Sequence, residues 1–392
     1  MTSNVEIDSN LINQFRNEVN KGRIIYSKLK NVGGKNKWNV LCSAMDWIDV
    51  ATSGIPTIEL NPKGFGVSHK ETINLMQYII LIDVLYESII QMYRVLGIEK
   101  EYPLENCKKI FNQSKISDDL YFKHIRAVFS THPVNLTSLD GDKDNKPNKH
   151  ERFFASYVAR NGLNDEGPPD DYYVSLYSNN PENDITRFFG IRMDQINEYL
   201  ETRYSLLADL IDKVKSIKSQ HLEEGLKKNI PSAENPIEQL DILLKENELR
   251  FDIGYGYTSE INYLRYLLSL EIDEYDFDDF YKNIIKDYQD FLTPGVNKIK
   301  EGLEKMDASN FIFEDYSTGY EFAKIYDYLE TGNNPVGQSY FEELISQGVL
   351  PESLWEETDL RLYTIVLDAL LYHLINKTGK EDIDLNEIID LA

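Results

Sequence analysis

The sequence predicts a mainly α fold: an N-terminal bundle of four helices, then a β-hairpin, then an acidic helical second domain. Three observations carry this expectation. Apolar residues recur at helical spacing over four stretches of the first third, two β-prone runs flank the turn-rich segment "NNPEND", and amphipathic stretches fill most of the remainder. The 392 residues are 42% hydrophobic and 12% aromatic, enough for two or three domains that each bury a core.

Leu11, Phe15, Val19, Tyr26 and Leu29 keep one side of a first helix apolar until "VGGK" ends it. Trp38, Leu41, Met45 and Ile48 repeat the pattern in a second helix, and "SGIPTIELNPKGFG" reads as a loop. A long third helix is expected from about His69 to Leu96, apolar nearly all round between Tyr78 and Tyr86, as the central member of a bundle requires. Ser117 followed by Asp118 and Asp119 is an N-cap with acids in the first turn, and opens a fourth helix. From Pro133 to about Asp171 the chain is polar and turn-rich apart from "RFFASYVA", so the domains are divided into 1–160 and 161–392. "YYVSLYS" and "ITRFFGIR" form the hairpin. "MDQINEYLETRYSLLADLIDKV", "NPIEQLDILLKENEL", "SEINYLRYLLSL" and "DLRLYTIVLDALLYHLI" are the amphipathic helices that follow.

The N-terminus lacks the zones of a secretory signal, and the most apolar run, "YIILIDVLYESII", carries Asp83 and Glu87 and is short for a bilayer span. A cytoplasmic protein without a membrane partner is expected. Cys42 and Cys107 lack CxxC spacing and read as core thiols, so no metal site or other cofactor is indicated. The net charge of −25 is uneven. Residues 1–150 carry 19 Lys and Arg against 17 Asp and Glu, whereas the rest carries 22 against 49. The two parts face different electrostatic tasks.

The chemistry-bearing stretch is "YFKHIRAVFSTHPVNL", with Arg126 and His132 on and just beyond the fourth helix. If the helix ran through His132, the imidazole would fall on the apolar face as a buried core histidine. Pro133 disfavours helical geometry at His132 and places it instead at a frayed end, free to face a cleft. Histidine exchanges a proton near neutral pH, and arginine's planar donors hold phosphoryl oxygens as charge develops. Asp83, Glu87, Gln91 and Arg94 form a polar stripe on the third helix, read either as a solvated face or as the lining of that cleft, with Asp83 and Glu87 in supporting roles. His124 reads as a surface or packing residue.

Four helices with an arginine and a histidine separated by five residues on the last one resemble the HEPN superfamily, and the resemblance covers about residues 8–136. Ala127 after the arginine and Pro133 after the histidine depart from the family's usual pattern. The resemblance implies a metal-independent endoribonuclease of a defence or toxin-like system, with Arg126 and His132 catalytic, RNA as substrate, and a homodimer through the N-terminal bundle that joins two pairs in one cleft. The acidic C-terminal half would then restrain or scaffold the nuclease, or engage a protein partner. The alternatives are a non-catalytic dimerisation and partner-binding protein, or a small-ligand sensor.

Two further stretches read as plain structure. "DGDKDNKPNKHE" sets Asp140, Asp142, Asp144 and Glu151 at calcium-loop positions, but Asn145 replaces the glycine that loop needs and Pro147 its apolar residue, so a polar loop is expected. "EIDEYDFDDFY", Glu271 to Tyr281, is expected to be a helix start with a solvated acidic face, the other reading being a mimic of nucleic acid or a dock for a basic partner.

Overall fold

The first helical stretch is interrupted where Gly22 and Arg23 both take positive φ, 74° and 54°. The left-handed turn at Gly22, cheap only for a residue without a Cβ, splits the expected single helix into α1 (Asn10–Asn20) and α2 (Ile24–Leu29). In the computed structural model, which describes residues 7–62, 66–142, 150–160, 170–183, 186–252, 254–309 and 316–391, the chain is mainly helical with one small antiparallel sheet. It divides into two units, Met1–Ser219 and Gln220–Ala392.

In the first unit, α3 (Lys37–Gly54) buries Leu41, Met45 and Ile48, the seam read from the sequence. α4 (His69–Val95) is the core helix. It is long and apolar enough, by length and composition, to cross a membrane, and half of its most apolar window is buried inside the protein. Tyr78 and Tyr93 donate hydrogen bonds to Asn197 (2.7 Å) and Asp209 (2.6 Å), which ties it to later helices. At its start Ser68 caps the Glu71 N–H (3.1 Å), while the Glu71 carboxylate accepts from Tyr172 (2.8 Å) and pairs with Arg160. Glu71 thus fastens the start of α4 to the sheet.

α5 (Asp118–Arg126) precedes a three-stranded sheet of order β1-β2-β3, with β1 (Phe153–Ala155), β2 (Tyr172–Ser178) and β3 (Arg187–Ile191). The β2–β3 pair is the expected hairpin, with Tyr172 opposite Ile191. β1 lies in the apolar patch "RFFASYVA" and is a third strand beyond the expected hairpin. Tyr172, Val174 and Leu176 alternate inward along β2. α6 (Met193–Tyr204) and α7 (Leu206–Lys227) replace one expected helix and meet at Ser205. The sheet, α6 and the first half of α7 share one core with α1–α5. The fold therefore divides near residue 219 rather than at 160/161: the polar stretch after Pro133 has a linker's composition, yet the chain returns from it to finish the first core.

The second unit holds α8 (Pro236–Arg250), α9 (Thr258–Ser269), α10 (Asp279–Leu292), α11 (Gly295–Glu304), α12 (Tyr320–Thr331), α13 (Pro335–Ser346), α14 (Leu360–Thr378) and α15 (Leu385–Leu391). Asn235, Asp278, Asn334 and Asp359 cap α8, α10, α13 and α14 through their side chains. α12 and α13 approach closely at Gly337, where a Cβ would sit 1.8 Å from the Lys324 carbonyl oxygen. α14 is the core helix, burying Leu362, Ile365, Val366, Leu367, Leu370 and Leu371. The charge asymmetry persists across the structural division: residues 220–392 carry 14 Lys and Arg against 37 Asp and Glu, and residues 1–219 carry 27 against 29.

Candidate functional site

α5 has only nine residues, too few to persist alone, and side chains from elsewhere hold it. Asp118 accepts from the backbone N–H groups of Lys109 (3.1 Å), Ile110 (3.3 Å) and Phe111 (3.0 Å), closing the preceding loop onto the helix start. Asp119, 5% exposed, takes Arg203 of α6 in an ion pair at 2.8 Å. It also accepts from the hydroxyls of Tyr199 (2.9 Å) and Tyr102 (3.0 Å). Phe122 stacks on Tyr199 with ring centroids 4.3 Å apart, and Phe189 of β3 meets His124 edge-on at 4.9 Å. His124 is a packing residue: burial holds its imidazole below the ordinary histidine range.

Two ion pairs join the outer face of α5 to α4. Arg126 donates to Asp83 at 2.6 Å, and Lys123 lies 3.1 Å from Glu87. Asp83 is 8% exposed, and its burial raises the carboxyl pKa against the opposing pull of Arg126. Asp83 Oδ1 and Arg126 Nε are both buried with no hydrogen-bond partner among the described residues. Beyond Arg126 the chain makes one π turn, Ala127–Thr131, closed by the His132 N–H on the Ala127 carbonyl at 2.9 Å. Such wide turns are frequent at functional sites. His132 follows with φ −140° and ψ 38°, outside the helix and exposed to solvent. Among the described residues no hydrogen bond or ion pair joins the Arg126 and His132 side chains.

The polar stripe of α4 opens on a groove of about 540 Å³ against α3. Asp83, Glu87 and Gln91 line it from one side, and Asn39, Val40, Ser43 and Trp47 from the other. Arg94 bonds to Gln91 within α4 at 3.3 Å. Trp47 is 52% exposed. The sequence reading did not single out Trp47 or Lys123, though a signal was there: Trp47 falls off the Leu41–Met45–Ile48 seam, and Lys123 precedes Arg126 on the same face. Compared with known protein families, curated proteins and solved structures, the chain gives no significant match.

Among the described residues of the calcium-like stretch, Asp140, Asp142 and Glu151 do not come together as a ligand set. Glu151 is buried, and its Oε1 accepts from Ser178 and from Asn183 (2.7 Å), both on or beside the hairpin. Asp144, Asn145 and Pro147 lie outside the described residues. No cluster of metal-ligating side chains occurs among the described residues. In the acidic stretch, Asp278 accepts from the Tyr281 N–H (3.0 Å) as the cap of α10.

Proposed function

We propose that the protein is a metal-independent endoribonuclease of HEPN type, in which Arg126 and His132 act on RNA and the acidic second unit restrains access. The observation that carries this reading is the Arg126 guanidinium, anchored by Asp83 at 2.6 Å, on a helix whose following π turn delivers an exposed His132. Arginine offers five donors, so anchoring to Asp83 leaves donors for phosphoryl oxygens. His132 accepts the proton of the attacking 2'-hydroxyl while Arg126 stabilises the charge that grows on the phosphate; the P–O5' bond breaks as the 2',3'-cyclic phosphate forms, and the departing 5'-oxygen takes a proton from water. Lys123 and Arg126 partly offset the repulsion that Asp83 and Glu87 impose on a phosphate backbone.

One pair per chain is sparse, and the reading includes a symmetric homodimer through α3 and α4. Val40, Trp47 and Val50 of α3 and Ile73 and Ile80 of α4 are exposed large apolar side chains on those helices. Trp47→Asp is expected to shift the protein from dimer to monomer in light scattering at micromolar concentration. The setting that fits is a cytoplasmic defence or toxin-like response.

The deciding experiment incubates the protein with total RNA in EDTA beside Arg126→Ala and His132→Ala. Both variants should fold and lose cleavage, by about 10²- to 10⁴-fold for the acid–base group. Undiminished cutting by folded His132→Ala overturns the assignment. The exposed Trp47 groove also favours a second reading, a partner-binding scaffold, which predicts an intact dimer with no cleavage by the wild type.

A further inference from the structure

Asn262, Arg265, Tyr266 and Ser269 stand at i, i+3, i+4 and i+7 on α9, so one face of that helix carries them together. That face and Arg361, at the start of α14, border a pocket of about 610 Å³ whose wall also includes Ile237 of α8. The second unit has 37 acidic residues against 14 basic ones, yet among the described residues this wall carries two arginines and no carboxylate. The wall reverses the sign of the unit around it.

Arg361 donates from Nε and Nη2 to the two oxygens of Asp359, at 3.0 and 2.8 Å, and its guanidinium lies over the Tyr266 ring, 4.3 Å from the centroid. Asp359 also accepts from the Tyr266 hydroxyl at 2.9 Å and from the Arg361 backbone N–H at 3.0 Å. These four bonds use the about four lone-pair sites of the carboxylate and fix two wall residues in place. Burial and the bond to Asp359 raise the Tyr266 phenol above its ordinary range, which keeps that hydroxyl a donor. Arg265 meets Asp241 of α8 through Nε at 3.0 Å. Arg361 Nη1 and both Nη atoms of Arg265 have no hydrogen-bond partner among the described residues.

Guanidinium groups that present unspent N–H donors from two helices are the arrangement that shares the oxygens of a phosphoryl group. The volume lies in the range of small-molecule sites and exceeds what a bare phosphate fills. A guanidinium already stacked on a tyrosine offers its other face to a second planar ring. We infer that this pocket binds a small aromatic phosphate monoester, the chemical class that includes nucleoside monophosphates, with its phosphoryl oxygens held by Arg265 and Arg361 and its ring laid against the Arg361–Tyr266 stack. The inference concerns the second unit alone and does not rest on the ribonuclease reading.

Calorimetric titration of the intact protein with phenyl phosphate tests this. Inorganic phosphate, benzyl alcohol and sodium chloride at equal ionic strength separate the contributions of the anion, the ring and simple screening. Saturable binding of phenyl phosphate is expected, tighter than that of inorganic phosphate, with none for benzyl alcohol. Arg265→Gln and Arg361→Gln should each weaken it about tenfold or more, the scale of a lost charged hydrogen bond. Both side chains are exposed, 48% and 70%, so their ion pairs hold little stability and the variants should melt close to the wild type. Arg265→Gln decides alone if Arg361→Gln, which leaves Asp359 without its partner, proves unfolded. No saturable response to phenyl phosphate beyond sodium chloride, equal binding of benzyl alcohol or of inorganic phosphate, or unchanged affinity in folded Arg265→Gln overturns the inference.

Discussion

Replacing Asp119 by alanine tests what holds the site helix in place. The substitution leaves the Arg203 guanidinium, 0% exposed, without its counter-charge, and the hydroxyls of Tyr199 and Tyr102 without their acceptor. Breaking a buried pair from one side costs about 3–5 kcal/mol, chiefly because the remaining charge stays desolvated. With an m value of about 2 kcal/mol/M, the urea midpoint of the first unit should fall by about 1.5–2.5 M. The assay is tryptophan fluorescence in a Trp355→Phe background, so that Trp38 and Trp47 report on the first unit alone. Asp119→Leu with Arg203→Met, which removes both charges, should recover much of the loss. A midpoint shift below about 0.5 M for Asp119→Ala would refute the account, since it would mean that Arg203 is solvated or re-paired at little cost.

Protonation and charge give two further predictions. His124 is held neutral by burial while the unfolded chain titrates near pH 6.5. The unfolded state therefore binds more protons below that value. Its contribution to stability should be complete above about pH 6.5 and decline as the pH falls toward the depressed folded pKa, by at most about 1.4 kcal/mol per pH unit. Asp140 is the acid that opposes the shift, and His124→Gln should flatten the slope in urea titrations at pH 5 to 7. For the restraint by the acidic unit, a chain ending at Ser219 should bind RNA more tightly than the full chain at 0.01 M salt. The two should converge toward 0.15 M as the Debye length falls from about 30 Å to about 8 Å, and equal affinities in filter binding throughout would count against restraint.

Periodicity carried far where burial is one-sided. α3, α4, α8 and α14 lie where apolar spacing places them, and the β2–β3 hairpin follows from its β-prone runs and intervening turn. The break between α1 and α2 is signalled only in part by Gly22, because Arg23 also takes a left-handed conformation that its residue type does not advertise. β1 is three residues long, too short for alternation to register. The unit boundary was misplaced because composition reports local polarity, whereas Tyr199 and Arg203 belong to the first core through partners about 80 residues earlier. At the candidate site, Pro133 marked the end of the helix, and His132 indeed lies outside it. The Arg126–Asp83 pair bridges 43 residues of sequence, so the stripe on α4 could be seen but its partner on α5 could not.

The dependence of α5 on Arg203 has a consequence during synthesis. A nascent chain that has just exposed Arg126 holds both residues of the proposed chemistry within a few positions of one another, yet the helix that presents them is too short to order itself. Its fastening arrives with α6, 84 residues after Asp119, which at about 5–20 residues per second is a delay of about 4–17 s. Truncated products released before that point, such as those from an interrupted message, would carry Arg126 and His132 without the framework that positions them. Under the proposed ribonuclease reading, assembly of the Arg126–His132 site would then lag behind translation of the chain's own transcript.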